Sequence, residues 1–232
     1  MIEKRIEFDF PIDESQVPTI LYNCKKHGPL NIELAKYINF TTVNEQPIVI
    51  PYTGDIPKAI SALYRVINSR STEDVCPHLF TKEEHIEPIW NYPVKYVKTM
   101  SRFSVCISPD FSVYENMVRQ QKRWNSFRNK YIAAVWQHFG INVIPAPSWG
   151  DLEDFPYYME GWPKHSVIAI NSTGIGKDQR AQHLFLDGYY AMLDNLQPMH
   201  ILRYGAKVNG EREEISTYYP NDNRKEARYD GR

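Results

Sequence analysis

Two aspartates stand where paired carboxylates would be useful. Asp110 follows Pro109 just past the apolar run FSVCI, and Asp151 follows Ser148, Trp149 and Gly150 just past the apolar run INVIPA. Carboxylates delivered from neighbouring strand ends can work as an acid–base pair or share a divalent cation through oxygen ligands. The plainer reading is that each caps a helix. A third candidate is STGIGKD at 172–178, which follows an apolar run and opens a helix. Gly174 and Gly176 let backbone amides approach an anion there, and Lys177 adds positive charge. The run has neither the Walker A spacing nor the last glycine of the dinucleotide fingerprint. It reads equally as a cradle for a phosphate-bearing or other anionic ligand and as a tight turn that binds nothing.

The elements that must position these residues follow one grammar. The runs from Phe103, Ile141, Ser166 and His200 are continuously apolar, are separated by helix-sized stretches and end in small or polar residues. Parallel strands buried on both faces read this way. With PIVIPY from Pro47 and VCPHLF from Val75 they predict six strand-plus-helix units, with helices over 56–69, 113–139 and 178–196. The expected class is α/β: a mainly parallel sheet of repeated βα units, either an incomplete or distorted TIM-like barrel or a doubly wound sheet. Residues 1–46 would be an irregular cap with a short strand near 6–10 and a brief helix around 30–38. The single domain would span 1–206, followed by a polar, partly disordered extension over 207–232.

Either architecture puts ligands at the carboxyl ends of the strands. The rim read off those ends holds Tyr52, Thr53, Thr81, Ser108, Asp110, Ser148, Trp149, Asp151, Ser172, Thr173, Gly174 and Tyr204. A few convergent polar groups among aromatics suit a ligand pocket, although polar caps also belong at strand ends.

Composition narrows the classes. Lys plus Arg number 27 against 28 Asp plus Glu, so no global charge draws the chain to nucleic acid or anionic membrane. Three widely spaced cysteines give neither a disulfide framework nor a Cys-rich zinc site. The seven histidines lack metalloprotease spacing, no G-x-S-x-G elbow occurs, and the sequence implies no metal and names no cofactor. No apolar run reaches membrane-spanning length and the N-terminus lacks a signal-peptide core, so a cytoplasmic protein without a membrane partner is expected. The long helix carries Arg119, Lys122, Arg123, Arg128 and Lys130 among aromatics. It presents either a nucleic-acid surface or a solvated basic face with its aromatics turned inward.

The stretch from about 86 to 205 resembles the domain of unknown function 4417 family of phages and bacterial mobile elements. The resemblance is carried by IWNYP at 89–93, SPDFSVY at 108–114, RWNSFRN at 123–129, AVWQ at 134–137, SWGD at 148–151, VIAINSTG at 167–174 and LRYG at 202–205. It implies a phage or mobile-element setting, hence the host cytoplasm, and supplies no activity. It emphasises Asp110, Trp124, Asn125, Arg128, Trp149, Asp151, Ser172, Thr173 and Gly174. Asn125 and Arg128, three apart on one helix face, are expected either at the ligand or holding the rim. Two functions follow: an enzyme or binder of an anionic compound, or an accessory protein that binds nucleic acid or a host or defence protein.

Overall fold

The computed structural model describes residues 32–176 and 178–221. In chain order the elements are α1 (Ile32–Ala35), β1 (Ala59–Ala62), α2 (Leu63–Val66), β2 (Val75–His78), α3 (Glu83–Asn91), α4 (Val97–Met100), β3 (Cys106–Ile107), α5 (Arg119–His138), β4 (Val143–Ile144), α6 (Phe155–Met159), β5 (Val167–Asn171), α7 (Gln179–Leu196), β6 (His200–Tyr204) and β7 (Ser216–Tyr219). The predicted strand near 6–10 lies outside the described residues.

Each ladder is parallel: β1 with β2, β3 with β4, β5 with β6, and β6 with β7. The three small sheets are linked at their edges. Leu79 and Pro109 bridge the ends of β2 and β3 in parallel, and Ala169 N donates to Pro145 O at 2.8 Å, joining β5 to the chain after β4. Tyr219 Oη donates to Pro57 O at 2.5 Å, drawing β7 toward the lead-in to β1. The fold is thus mixed α/β with parallel strands, and the ladders do not close into a barrel.

Strands β3, β4, β5 and β6 bury both faces, and this is why their sequences are continuously apolar. One core cluster takes a side chain from every strand, among them Ile60, Cys76, Ile107, Ile144, Ala169, Leu202 and Tyr219. The opposite faces, with Cys106, Val143, Ile168 and Ile201, pack against the helices, including Trp136 of α5 and Met192 of α7.

Three expectations are corrected. The run PIVIPY is not a strand: Pro47 and Pro51 remove ladder donors, and the segment instead crosses the start of β5, where Tyr52 O accepts from Val167 N at 2.8 Å. The helix expected over 56–69 is a strand, β1, followed by the single turn α2. Ile60, Leu63, Tyr64 and Ile67 carry helical spacing, but the edge of β2 offers a parallel ladder that a four-residue apolar run satisfies equally well. Beyond residue 206 the chain contributes β7. That stretch reads as polar because of Glu211 and its hydroxyl-bearing neighbours, yet Glu211 is buried. It accepts from Arg203 Nε at 2.7 Å and from Tyr218 Oη at 3.2 Å, which pins the connection between β6 and β7.

Among the described residues, no helix is long and apolar enough to cross a membrane.

Candidate functional site

A cleft of about 280 Å³ opens at the carboxyl ends of β3, β4 and β5. One wall is the loop after β3, with Asp110, Ser112, Tyr114 and Glu115. A second is the loop after β4, with Ser148, Trp149 and Gly150. The third combines Asn171, Thr173 and Gly174 with Leu184 and Phe185 of α7, and Phe80 lines the space from beyond β2.

Asp110 is the ionisable group that geometry singles out. Its carboxylate accepts from Asn171 Nδ2 at 3.4 Å and from the Ser148 hydroxyl. Burial pushes its pKa up to about 6, outweighing those two hydrogen bonds, and the charge of Glu83 adds to the rise. Asn171 is itself oriented, because Thr173 N donates to its Oδ1 at 2.8 Å and so turns the amide nitrogen toward Asp110. The rim read from the sequence starts one residue too late to include Asn171. Its signal was a polar residue closing the apolar run 166–170.

Trp149 forms a wall because α7 leaves it room. A Cβ on Gly188 would stand 2.0 Å from the indole nitrogen, so the ring lies on bare helix backbone, with its centroid 5.7 Å from that of Phe185.

Asn125 and Arg128 act one layer behind. Asn129 Oδ1 accepts from Phe111 N at 2.7 Å and its Nδ2 donates to Phe111 O at 3.1 Å. Asn125 Nδ2 donates to Ser112 O at 2.7 Å. Arg128 donates to Asn125 Oδ1 and to Glu87 Oε1, both at 2.6 Å, with its guanidinium 3.6 Å from the Phe111 ring centroid. Together α5 fixes the backbone of 111–112 and so the direction in which Asp110 points. Asn129 closes the stretch RWNSFRN that carries the family resemblance, but its residue type and spacing alone do not separate it from an ordinary helix residue.

The other candidates lie elsewhere. Asp151 accepts from Lys122 Nζ, from Tyr158 Oη at 3.0 Å and from Asp154 N at 2.9 Å. Burial pulls its pKa up, but those hydrogen bonds prevail and hold it below the usual carboxylate range. Ser108 Oγ accepts from Ala146 N at 2.9 Å, clamping the ends of β3 and β4. Ser172 Oγ donates to Ala206 O at 2.5 Å, tying β5 to the chain after β6. Tyr204 donates to Asn221 Oδ1 at 3.1 Å and packs its ring 4.3 Å from His78. At the start of α7, Asp178 accepts from Arg180 N and Ala181 N at 2.9 and 3.2 Å, so first-turn amides already face a carboxylate. Gly174 and Gly176 both hold positive φ. Gly174 lines the cleft and Gly176 does not; Lys177 lies outside the described residues.

The structure thus brings Asp110, Trp149, Thr173 and Gly174 together. It keeps Asp151, Ser108, Ser172, Tyr204, Asn125 and Arg128 off the cleft wall. Among the described residues, no three His, Cys, Asp or Glu side chains converge as a group able to hold a metal ion.

The basic face of α5 is turned onto the acidic stretch 151–160. Besides the Lys122 pair, Asp154 takes Arg119 through two bonds of 2.6 Å and Arg123 at 2.5 Å. The hydrogen bond from Arg119 leads in holding the Asp154 pKa at about 2. Lys130 is buried and donates to the carbonyls of Tyr157 and Glu160 at 3.2 and 2.9 Å, at the end of α6.

A protein-family model described as Domain of unknown function (DUF4417) matches residues 49–220. The Gene 1 protein of Mycobacterium phage L5 is 33% identical over 128 residues, covering 55% of this chain and 56% of that protein. The Gene 1 protein of Mycobacterium phage D29 is 32% identical over 128 residues, covering 55% and 47% respectively. The chain therefore spans about half the length of these curated relatives. No solved structure matches it.

Proposed function

The chain belongs to the DUF4417 family, and from that premise we propose that the cleft at the strand ends is a small-molecule site in which Asp110 is the acid–base group. We read the seven parallel strands of the described residues as an unclosed, barrel-like array whose carboxyl ends form the mouth, the end at which such arrays carry ligands. With its phage relatives, the protein would act in the host cytoplasm.

The observation that carries the reading is the setting of Asp110. A carboxylate held in a cleft by two neutral donors, with its pKa raised to about 6, exchanges protons near neutrality, which is what a general acid or base requires. Capping does not account for it: α5 starts at Arg119 and its N-cap Val118 offers no side-chain bond. The alternative of a nucleic-acid surface on α5 has less behind it, because Lys122, Arg123 and Arg128 pair with Asp151, Asp154 and Glu87. Phosphates would have to displace those carboxylates.

The test is a thermal-shift screen of the wild type and Asp110→Asn against sugars, nucleosides, amines and phosphorylated compounds. A cleft ligand raises the wild-type Tm and leaves the variant unmoved. Ligands that stabilise both proteins equally would reject Asp110 as the centre of the site.

A further inference from the structure

We propose that the cleft takes an organic cation, an ammonium group carried on a small apolar body. This deepens the reading of the cleft above and rests on it. Phe80, Tyr114 and Trp149 line the walls, and aromatic faces attract a cation through the ring quadrupole; Phe185 lines them too and already carries a cation, the Arg203 guanidinium 5.1 Å from its ring centroid. The carboxylates of Asp110 and Glu115 line the same space, and no Lys, Arg or His does so among the described residues. Glu115 is already matched, since Arg180 donates to its Oε1 at 2.5 Å. Among the described residues Asp110 is not: its donors are an amide and a hydroxyl, and the nearby charge that bears on it, Glu83, is negative. A partly desolvated carboxylate without a counter-ion gains more from an incoming cation than an exposed or paired one does. An anion would meet the reverse, two carboxylates on the wall and a third, Asp178, already seated on the first-turn amides of α7.

A proton linkage follows. Only ionised Asp110 pairs with an ammonium, so binding tightens as pH rises through about 6 and displaces the proton from a protonated carboxyl. A phosphate would behave oppositely, because ionised Asp110 repels it.

The experiment is isothermal titration of the full chain at pH 5 and pH 8 with benzyltrimethylammonium chloride, its uncharged analogue neopentylbenzene, and inorganic phosphate. Expected is saturable binding of the ammonium, about tenfold tighter at the higher pH. Asp110→Asn should abolish that pH dependence and weaken binding about tenfold or more. If the uncharged analogue binds as well as the ammonium, without pH dependence but still lost on Trp149→Ala, the ligand class is wrong while the cleft stands. Phosphate binding that is lost on Lys177→Ala would overturn the inference in favour of an anion cradle at 172–178. An ammonium that fails to bind, or binds equally to Asp110→Asn, also overturns it. The cleft itself is then judged by the thermal-shift screen, which also offers it uncharged sugars and nucleosides.

Discussion

On the cleft side of the loop after β4, Asp110 meets only neutral donors among the described residues, Asn171 and Ser148, and its pKa rises to about 6. On the far side, in the seam between α5 and α6, Asp154 meets Arg119 and Arg123 and its pKa falls to about 2. The same side chain is treated in opposite ways because one region leaves its carboxylate unpaired and the other neutralises it within the fold. The seam therefore stabilises the chain. The cleft holds a charge at a cost to stability, the usual mark of a residue kept for binding or chemistry.

The largest effect should come from breaking the seam. Asp154→Ala takes the carboxylate from both guanidinium groups, of which Arg119 keeps Glu153 at 3.4 Å. Breaking a buried pair costs about 3–5 kcal/mol and an exposed one about 1 kcal/mol or less. Asp154 is buried while Arg119 is half exposed, so urea unfolding should show a loss of about 2–3 kcal/mol of stability. The wild type should lose the same contribution in acid. A carboxyl with a lowered folded pKa stabilises above its unfolded value, and the effect fades as pH drops from about 4 to about 2. A change of under about 1 kcal/mol in the variant would place these ion pairs with ordinary surface pairs and erase the contrast between the two regions.

Asp110 gives the opposite sign. Its folded pKa lies above its ordinary value of 3.8, so the native state binds more protons than the unfolded chain between about pH 4 and 6, and stability declines as pH rises through that window. The rise from 3.8 to about 6 amounts to about 3 kcal/mol at one pKa unit per about 1.4 kcal/mol. The amide accepts less well from Asn171 and Ser148, which costs about 1 kcal/mol, so Asp110→Asn should be more stable than the wild type at pH 7 by about 2 kcal/mol. The advantage should vanish below about pH 4, where the carboxyl is protonated in both states. Denaturation at several pH values checks this. A variant that is less stable at neutral pH would mean the carboxylate is structural, and the comparison with Asp154 would lose its basis.

The contrast was half visible in the sequence. Continuous apolar runs exposed the parallel strands from β3 to β6, the run from Val75 exposed β2 despite Pro77, and the residue types at the strand ends exposed Asp110, Trp149, Thr173 and Gly174. Asp110 and Asp151 could not be told apart there, because each follows a strand and precedes a helix. What separates them is a contact between Lys122 and Asp151, 29 positions apart in the chain, and no local pattern encodes which carboxylate a distant helix will reach. The same limit explains β1. The run Ala59–Ala62 is too short for periodicity to choose between helix and strand, and the ladder with β2 makes the choice. Asn171 was missed for a different reason: it is the last residue of a strand, and its role arises from the turn that lets Thr173 N hold its side chain.

The smallest effect sharpens the cleft side, and it pits two local rules against each other. Gly188 lies inside α7 and is buried. By helix propensity alone, alanine there would stabilise by about 1 kcal/mol. Against this stands the indole of Trp149, 2.0 Å from where the new Cβ would be; overpacking of this kind costs about 1–3 kcal/mol. Because Trp149 sits on a loop with one face to the cleft, it can yield by moving into that space, which caps the net loss at about 1 kcal/mol. Gly188→Ala should therefore fold, show altered tryptophan emission that Trp149→Phe abolishes, and bind cleft ligands more weakly than its small stability change would suggest. An alanine variant that gains stability with unchanged emission would show that the indole does not rest on α7 and that the cleft lacks the wall assigned to it.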